Sequence, residues 1–99
     1  MKKKLTKTVI ELSSVGNAAY GQDPNRPLFG AEVNHSVKVY SFKQASEVAR
    51  KFIEDNELGS SNWSGGAILQ DGKQIAFVTY NGRVWEGIKR DENSKEIEI

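Results

Sequence analysis

Two dipeptides, Asp71-Gly72 and Asn81-Gly82, constrain the fold of this chain more than any other feature. Each is typical of a two-residue type I′ turn, which needs positive φ at both central positions and joins two antiparallel strands. The segments on either side are rich in β-branched and aromatic residues, which favours strands. We therefore predict three consecutive antiparallel strands, covering residues 66–70, 73–80 and 83–88.

Two-residue turns also predict the register of these strands, with Gln70 opposite Lys73, Ile68 opposite Ile75 and Val78 opposite Trp85. One face of the sheet then carries Ile68, Ile75, Phe77, Thr79, Val84 and Ile88, and the other carries Ala67, Leu69, Ala76, Val78, Tyr80 and Trp85. Both faces are apolar. A strand solvated on one side alternates apolar with polar residues, whereas "QIAFVTY" is a nearly continuous apolar run, so both faces need a cover.

One amphipathic helix is predicted in the segment "SFKQASEVARKFIEDNELG", residues 41–59. Ser41 and Gln44 have the spacing of a capping box, in which the two side chains bond reciprocally to backbone amides. Gly59 is placed to end the helix in the left-handed conformation. The apolar residues fall on one stripe at helical spacing. They are Ala45, Val48, Ala49, Phe52 and Ile53.

The first part of the chain predicts two strands. Residues 5–12 are rich in β-branched residues, and residues 32–40 alternate, with valines at positions 33, 37 and 39. They are separated by residues 13–30, a long loop with two prolines. A loop of this length is uncommon inside a compact domain and is usually functional or mobile. Residues 89–99 form a predicted charged tail.

These elements predict a single α+β domain spanning residues 1–99, with a β-β-α-β-β-β order. The sheet is mainly antiparallel and the one helix packs on one of its faces. Because a single helix covers one face only, the second face must be covered by the 13–30 loop or by another molecule. Exposed apolar faces of this kind usually mark contact sites.

The composition excludes several classes of function. The chain has no cysteine, so disulfides, thiolate metal sites and a cysteine nucleophile are excluded, which suits a cytoplasmic location. His35 is the single histidine, and it stands in no recognisable catalytic or metal-binding motif. No stretch is long and apolar enough for a membrane span or a signal peptide. We expect no enzyme activity, no cofactor and no metal.

The glycine-rich segment "LGSSNWSGGAIL", residues 58–69, lies between the predicted helix and a strand. Phosphate-binding loops of the Walker and dinucleotide types have the opposite order, with a strand before the glycines and a helix after them. We therefore predict that Gly65 and Gly66 let the chain turn closely into the sheet. Trp63 is predicted to plug one end of the core, and the alternative is an exposed binding residue.

The segment "TYNGRVWEG" supplies the remaining candidate site, formed by Tyr80, Arg83 and Trp85 on one side of the predicted hairpin. Tyrosine, arginine and tryptophan are enriched in interface hot spots, and their aromatic rings also stack on unpaired bases. The alternative is purely structural, with Trp85 packed under the helix and Arg83 stacked on Tyr80. The candidate binding residues are therefore Tyr80, Arg83, Trp85 and Trp63.

The leading prediction for function is a small non-catalytic binding or inhibitory protein that contacts another protein or its own copy. In size and style the chain resembles the compact proteins of bacterial phages and plasmids, many of which block another protein. The formal net charge of +1 favours a protein partner over nucleic acid. The alternative is a nucleic-acid-binding module, which would use the hairpin aromatics together with Lys2, Lys3, Lys4, Lys7, Arg83, Lys89 and Arg90.

Overall fold

The computed structural model describes residues 5–16, 20–22, 25, 34–88 and 94–99. Within them one helix and five strands occur in the predicted β-β-α-β-β-β order, and a sixth, short strand follows. The elements are β1 (Thr8–Leu12), β2 (His35–Val39), α1 (Phe42–Asp55), β3 (Ala67–Gln70), β4 (Lys73–Val78), β5 (Val84–Glu86) and β6 (Glu96–Ile97). The α+β class is confirmed, and β6 lies within the segment that was predicted as a charged tail.

All six strands belong to one sheet with the order β2-β1-β3-β4-β5-β6, and every neighbouring pair is antiparallel. The helix packs against β1, β2 and β4 and so covers one face, as predicted. We call this the helix face, and the opposite one the outer face. Residues 17–19, 23–24 and 26–33, which include most of the predicted 13–30 loop, lie outside the described residues.

The core lies between α1 and the helix face. The predicted helix stripe is confirmed: Phe52 and Ile53 are 3% and 2% exposed, and Val48 lies at the edge of the cluster. Burying a large apolar side chain contributes about 1.5–3 kcal/mol, so this stripe supplies much of the domain's stability. The other buried apolar residues are Leu5, Ile10, Leu12, Val39, Ala45, Ala49, Leu58, Ile68, Ala76, Val78 and Val84.

Both ends of α1 are capped, but each departs from the prediction in one detail. The Ser41 hydroxyl accepts from the Gln44 amide at 3.0 Å, while the Gln44 side chain accepts from the Tyr40 amide rather than from that of Ser41. At the other end Glu57, not Gly59, takes the left-handed conformation with φ of 52°. The amides of Glu57 and Leu58 donate to Glu54 and Ile53, which is a Schellman motif ending in a buried leucine.

The predicted type I′ turn at Asp71-Gly72 is confirmed. At Asn81-Gly82 a hairpin is present, but the predicted two-residue type I′ turn is wrong. Asp71 and Gly72 have φ of 53° and 81°, as a type I′ turn requires. In the second turn Gly82 alone of the dipeptide has positive φ, 88°, and its amide donates to the Thr79 carbonyl. The Thr79 amide donates to the Arg83 carbonyl. This is a type I turn followed by a left-handed glycine, which makes the loop one residue longer than predicted.

The longer loop shifts the β4–β5 register by one residue. Val78 lies opposite Val84, and Phe77 lies opposite Trp85, instead of the predicted Val78–Trp85 pair. A bulge in the β3–β4 pair has a similar effect: Gln70 lies opposite Lys73 as predicted, but Ile68 lies opposite Ala76 rather than Ile75. Because side chains alternate between faces, each shift transfers residues from one face to the other.

Candidate functional site

The outer face carries a continuous apolar strip across four strands. Cross-strand pairs define it: Val9 with Leu69, Ala67 with Phe77, and Phe77 with Trp85. All five side chains are half-buried and none belongs to the core cluster. The strip is bordered on the same face by polar partners of both charge signs, namely Glu11, Ser36, Lys38, Gln74 and Glu96. We call the five apolar residues the outer strip; they are Val9, Ala67, Leu69, Phe77 and Trp85.

A depression of about 220 Å³ adjoins the outer strip at Trp85, where the 79–83 loop meets β5. The three predicted hairpin residues line it together with two loop residues. The lining consists of Thr79, Tyr80, Asn81, Arg83 and Trp85. The structure thus brings the predicted hairpin residues to one place, although the predicted register was wrong.

The 79–83 loop is held in one conformation from inside and from the helix. Within the loop, the Asn81 side-chain oxygen accepts from the Thr79 hydroxyl at 2.6 Å and from the Arg83 amide at 3.3 Å. From α1, the Ser46 hydroxyl donates to the Gly82 carbonyl at 2.5 Å, and the Arg50 guanidinium donates to the Tyr80 carbonyl at 2.6 Å. These four hydrogen bonds therefore order the loop.

The Tyr80 ring faces the helix rather than the outer strip. Its hydroxyl donates to the Leu58 carbonyl at 3.0 Å, and the Arg50 guanidinium lies 5.4 Å from its ring centre. The predicted alternative of an Arg83–Tyr80 stack is therefore replaced by an Arg50–Tyr80 cation–π contact. The prediction that Tyr80 and Trp85 share a sheet face is wrong, since Tyr80 belongs to the loop and Trp85 to the outer face.

Arg83 and Trp85 are the groups of the depression that face away from the core. The Arg83 side chain is 61% exposed, and its guanidinium lies 4.0 Å from the Glu96 carboxylate. An exposed ion pair at that distance contributes little to stability. Trp85 is not packed under the helix, because it pairs with Phe77 on the opposite side of the sheet.

Trp63 packs against the core cluster and is not among the residues that line the depression beside Trp85. Its ring centre is 6.0 Å from that of Phe52, and its indole nitrogen donates to the Val78 carbonyl at 3.2 Å. Both the apolar surface and the polar group of the indole are thus engaged within the protein. This arrangement fits the predicted plug better than the alternative of an exposed binding residue.

A second depression, of about 290 Å³, lies where β1 ends and β2 and β3 begin. Its polar lining includes His35, Ser13 and Ser64. The two serine hydroxyls bond to each other at 2.8 Å, and the His35 ring packs edge-on against Phe52, 5.8 Å between centres. No group of three histidine, aspartate or glutamate side chains in the described part of the chain is placed to hold a metal ion.

Comparisons of the chain with protein-family models, with curated proteins and with solved structures found no match. No helix among the described residues is long and apolar enough to cross a membrane.

Replacing Ser46 with alanine tests the attachment of the 79–83 loop to α1. The change leaves the Gly82 carbonyl, in a buried position, without its hydroxyl donor. We expect the free energy of unfolding to fall by about 1–2 kcal/mol, as for other buried hydrogen bonds that lose one partner. Urea unfolding measures it. Ser60→Ala, at an exposed position, is the control and should change little; equal effects for the two variants would show that the loop does not depend on Ser46.

Proposed function

We propose that this protein is a non-catalytic binding protein that contacts another protein through the outer strip and the adjoining Arg83–Trp85 depression. One observation carries the proposal: the Phe77–Trp85 pair continues into an apolar strip on the side of the sheet that α1 does not cover. Apolar strips with a charged border are typical of contact surfaces.

The residue types of this surface suit a protein interface. Tryptophan and arginine are the side chains most enriched among hot spots, and they act best beside well-packed apolar neighbours. Here Trp85 has Phe77 directly across the strand pair, and Arg83 projects at the rim, 61% exposed. The hydrogen bonds of the 79–83 loop hold the backbone at Arg83 in place, and Trp85 is held by its strand, which lowers the cost of ordering both on binding.

The charges beside the strip favour a protein over nucleic acid. A nucleic-acid surface is expected to be basic, since affinity comes mainly from neutralised phosphates. The outer face instead mixes Lys38 and Arg83 with Glu11 and Glu96. Most of the lysines and arginines on which the nucleic-acid alternative depends lie outside the described residues, namely Lys2, Lys3, Lys4, Lys89 and Arg90.

The partner we propose is a different protein or a second copy of this chain, in the reducing cytoplasm that a cysteine-free chain suits. Occupying a partner's own contact surface is a simple way to inhibit it, and a small rigid domain can do so without chemistry. A phage or plasmid setting of the gene would favour this inhibitory form of the proposal.

Substitutions at Trp85 and Arg83 test the proposed surface, once a partner captured from the host has been purified and its affinity measured by calorimetry. We expect Trp85→Ala to weaken binding about 30-fold or more, the effect of losing a hot spot of about 2 kcal/mol. Arg83→Glu should weaken binding and slow association, since rim charges mainly act on the association rate.

Tyr20→Ala is the matched control, because Tyr20 is 80% exposed and belongs to no strand of the outer face. It should leave affinity unchanged. Circular dichroism must show that all three variants are folded. Unchanged binding by both site variants would refute the proposed surface, and tight, salt-sensitive binding of single-stranded nucleic acid would promote the alternative.

A further inference from the structure

We propose that copies of this protein associate head to tail by pairing β6 of one copy with β2 of the next, so that the sheet continues from molecule to molecule. This inference goes beyond the proposed function, because it concerns the two edges of the sheet rather than its outer face. Three properties of the two edge strands support it. They run in opposite directions, their apolar side chains lie on the same face of the sheet, and a lysine on one edge can face a glutamate on the other.

The strand order gives β2 and β6 the right direction for pairing. In the described part of the chain they are the first and last strands of the sheet, with β1 and β5 as their neighbours. A terminal strand presents backbone donors and acceptors on its outer side to another strand. Because all five successive pairs are antiparallel, β2 and β6 run in opposite directions. A second copy shifted sideways in the plane of the sheet therefore brings its β2 antiparallel to β6.

The same sideways shift keeps like faces together. On β2, Lys38 pairs with Val9 on the outer face, and Val37 pairs with Ile10 on the helix face. On β6, Glu96 pairs with Trp85 on the outer face, and Ile97 pairs with Val84 on the helix face and packs against the core. Apolar side chains thus meet on the helix side and polar ones meet on the outer side.

One antiparallel register satisfies both faces at once. When Ile97 lies opposite Val37 of the next copy, Glu96 lies directly opposite Lys38, and an extended Glu98 lies opposite Ser36. Opposite charges in directly facing positions stabilise a strand pair, and like charges destabilise it. The Glu96 carboxylate is available for this pair, since its contact with Arg83 is 4.0 Å long and its side chain is 44% exposed.

The charges also favour this pair over the symmetric alternatives. When Val37 lies opposite its own copy, Lys38 lies opposite Ser36, and when Ile97 lies opposite its own copy, Glu96 lies opposite Glu98, so neither symmetric pair forms a facing ion pair. The favoured contact therefore joins two different edges, and a heterologous contact that does not close into a ring builds open chains of molecules. The terminal Ile99, 40% exposed, adds apolar surface to the acidic edge.

The test is sedimentation velocity over about 10 μM to 1 mM protein at low salt, because so short a strand pair is expected to be weak. The average mass of the wild-type protein should rise with concentration and fall when salt is added. Lys38→Glu should weaken the association about tenfold, by replacing one facing ion pair with a repulsion. Lys73→Glu makes the same charge change at an exposed position of β4, away from both edges, and should associate like the wild type.

A charge exchange makes the test specific for this pair of edges. Lys38→Glu and Glu96→Lys should each associate poorly alone, and a mixture of the two should recover the wild-type behaviour, since each acidic edge then meets a basic one. Circular dichroism checks that both remain folded. A wild-type protein of monomer mass at 1 mM would overturn the proposal, as would a mixture that fails to recover. Association that Trp85→Ala abolishes and Lys38→Glu leaves intact would overturn it too, while supporting self-contact through the outer strip.

Discussion

Replacing Phe52 with alanine is expected to lower the free energy of unfolding by about 3–5 kcal/mol, the usual cost of truncating a buried phenylalanine. Phe52 is 3% exposed and belongs to the buried cluster between α1 and the sheet. Its ring contacts the rings of His35 and Trp63, with centres 5.8 and 6.0 Å away. The alanine variant therefore leaves a cavity lined by side chains from β2 and from the segment before β3, which are distant in sequence.

Urea unfolding at constant pH measures this loss, which is a large part of the about 5–15 kcal/mol that stabilises a domain of ordinary stability. Phe42→Ala is the matched control, because it removes the same atoms from a half-buried position at the start of α1. Its loss should be clearly smaller. A loss below about 1 kcal/mol for Phe52→Ala would contradict the packing of the helix stripe described above.

Replacing Gly66 with alanine is expected to cost about 3 kcal/mol or more, for two reasons that add. Gly66 has a φ of 105°, a backbone conformation that residues other than glycine rarely adopt. A Cβ atom there would also overlap the Val78 carbonyl oxygen and lie 3.2 Å from the Trp63 ring. The Gly66 amide and carbonyl hold β1 and β4 together through hydrogen bonds of 2.7 and 2.9 Å to Glu11 and Val78, so the chain cannot move away.

Gly59→Ala is the control for this prediction, because Gly59 has ordinary φ and a Cβ there would meet only the Asn62 side chain, at 3.6 Å. It should change the stability by less than about 0.5 kcal/mol, as exposed substitutions usually do. Thermal or urea unfolding of both variants gives the comparison. A near-neutral Gly66→Ala would show that the glycine-rich segment is looser than described and would reopen a ligand-binding role for it.

The candidate site shows how far local sequence rules reach. Asn81-Gly82 correctly predicted a hairpin, but the same dipeptide also suits the longer loop, in which asparagine bonds within the turn and glycine alone takes positive φ. Nothing local distinguishes the two loops. The hydrogen bonds from Ser46 and Arg50 to this loop join residues that are 36 and 30 positions apart in the sequence. Their role in the site was therefore missed, and so was the pairing of Phe77 with Trp85.

The sequence by itself determined the elements whose causes are local. The helix stripe ending at Ile53, the Ser41 cap and the Asp71-Gly72 turn follow from spacing and from backbone preference within a few residues, and all are observed. The order of elements and the class of the fold follow in turn, because one apolar helix stripe needs an apolar sheet face to cover it.

Only the tertiary structure decided which side chains share a face. The β4–β5 register depends on one residue in the loop length, and that residue is fixed by contacts with α1, which is distant in sequence. The bulge beside Leu69 likewise depends on how β3 fits between β1 and β4. Because side chains alternate along a strand, one residue of shift moves Trp85 next to Phe77 and sends Val84 into the core. The position of β6, and with it the matching edges of the sheet, also required the folded chain, since a two-residue strand has too few residues to show a pattern.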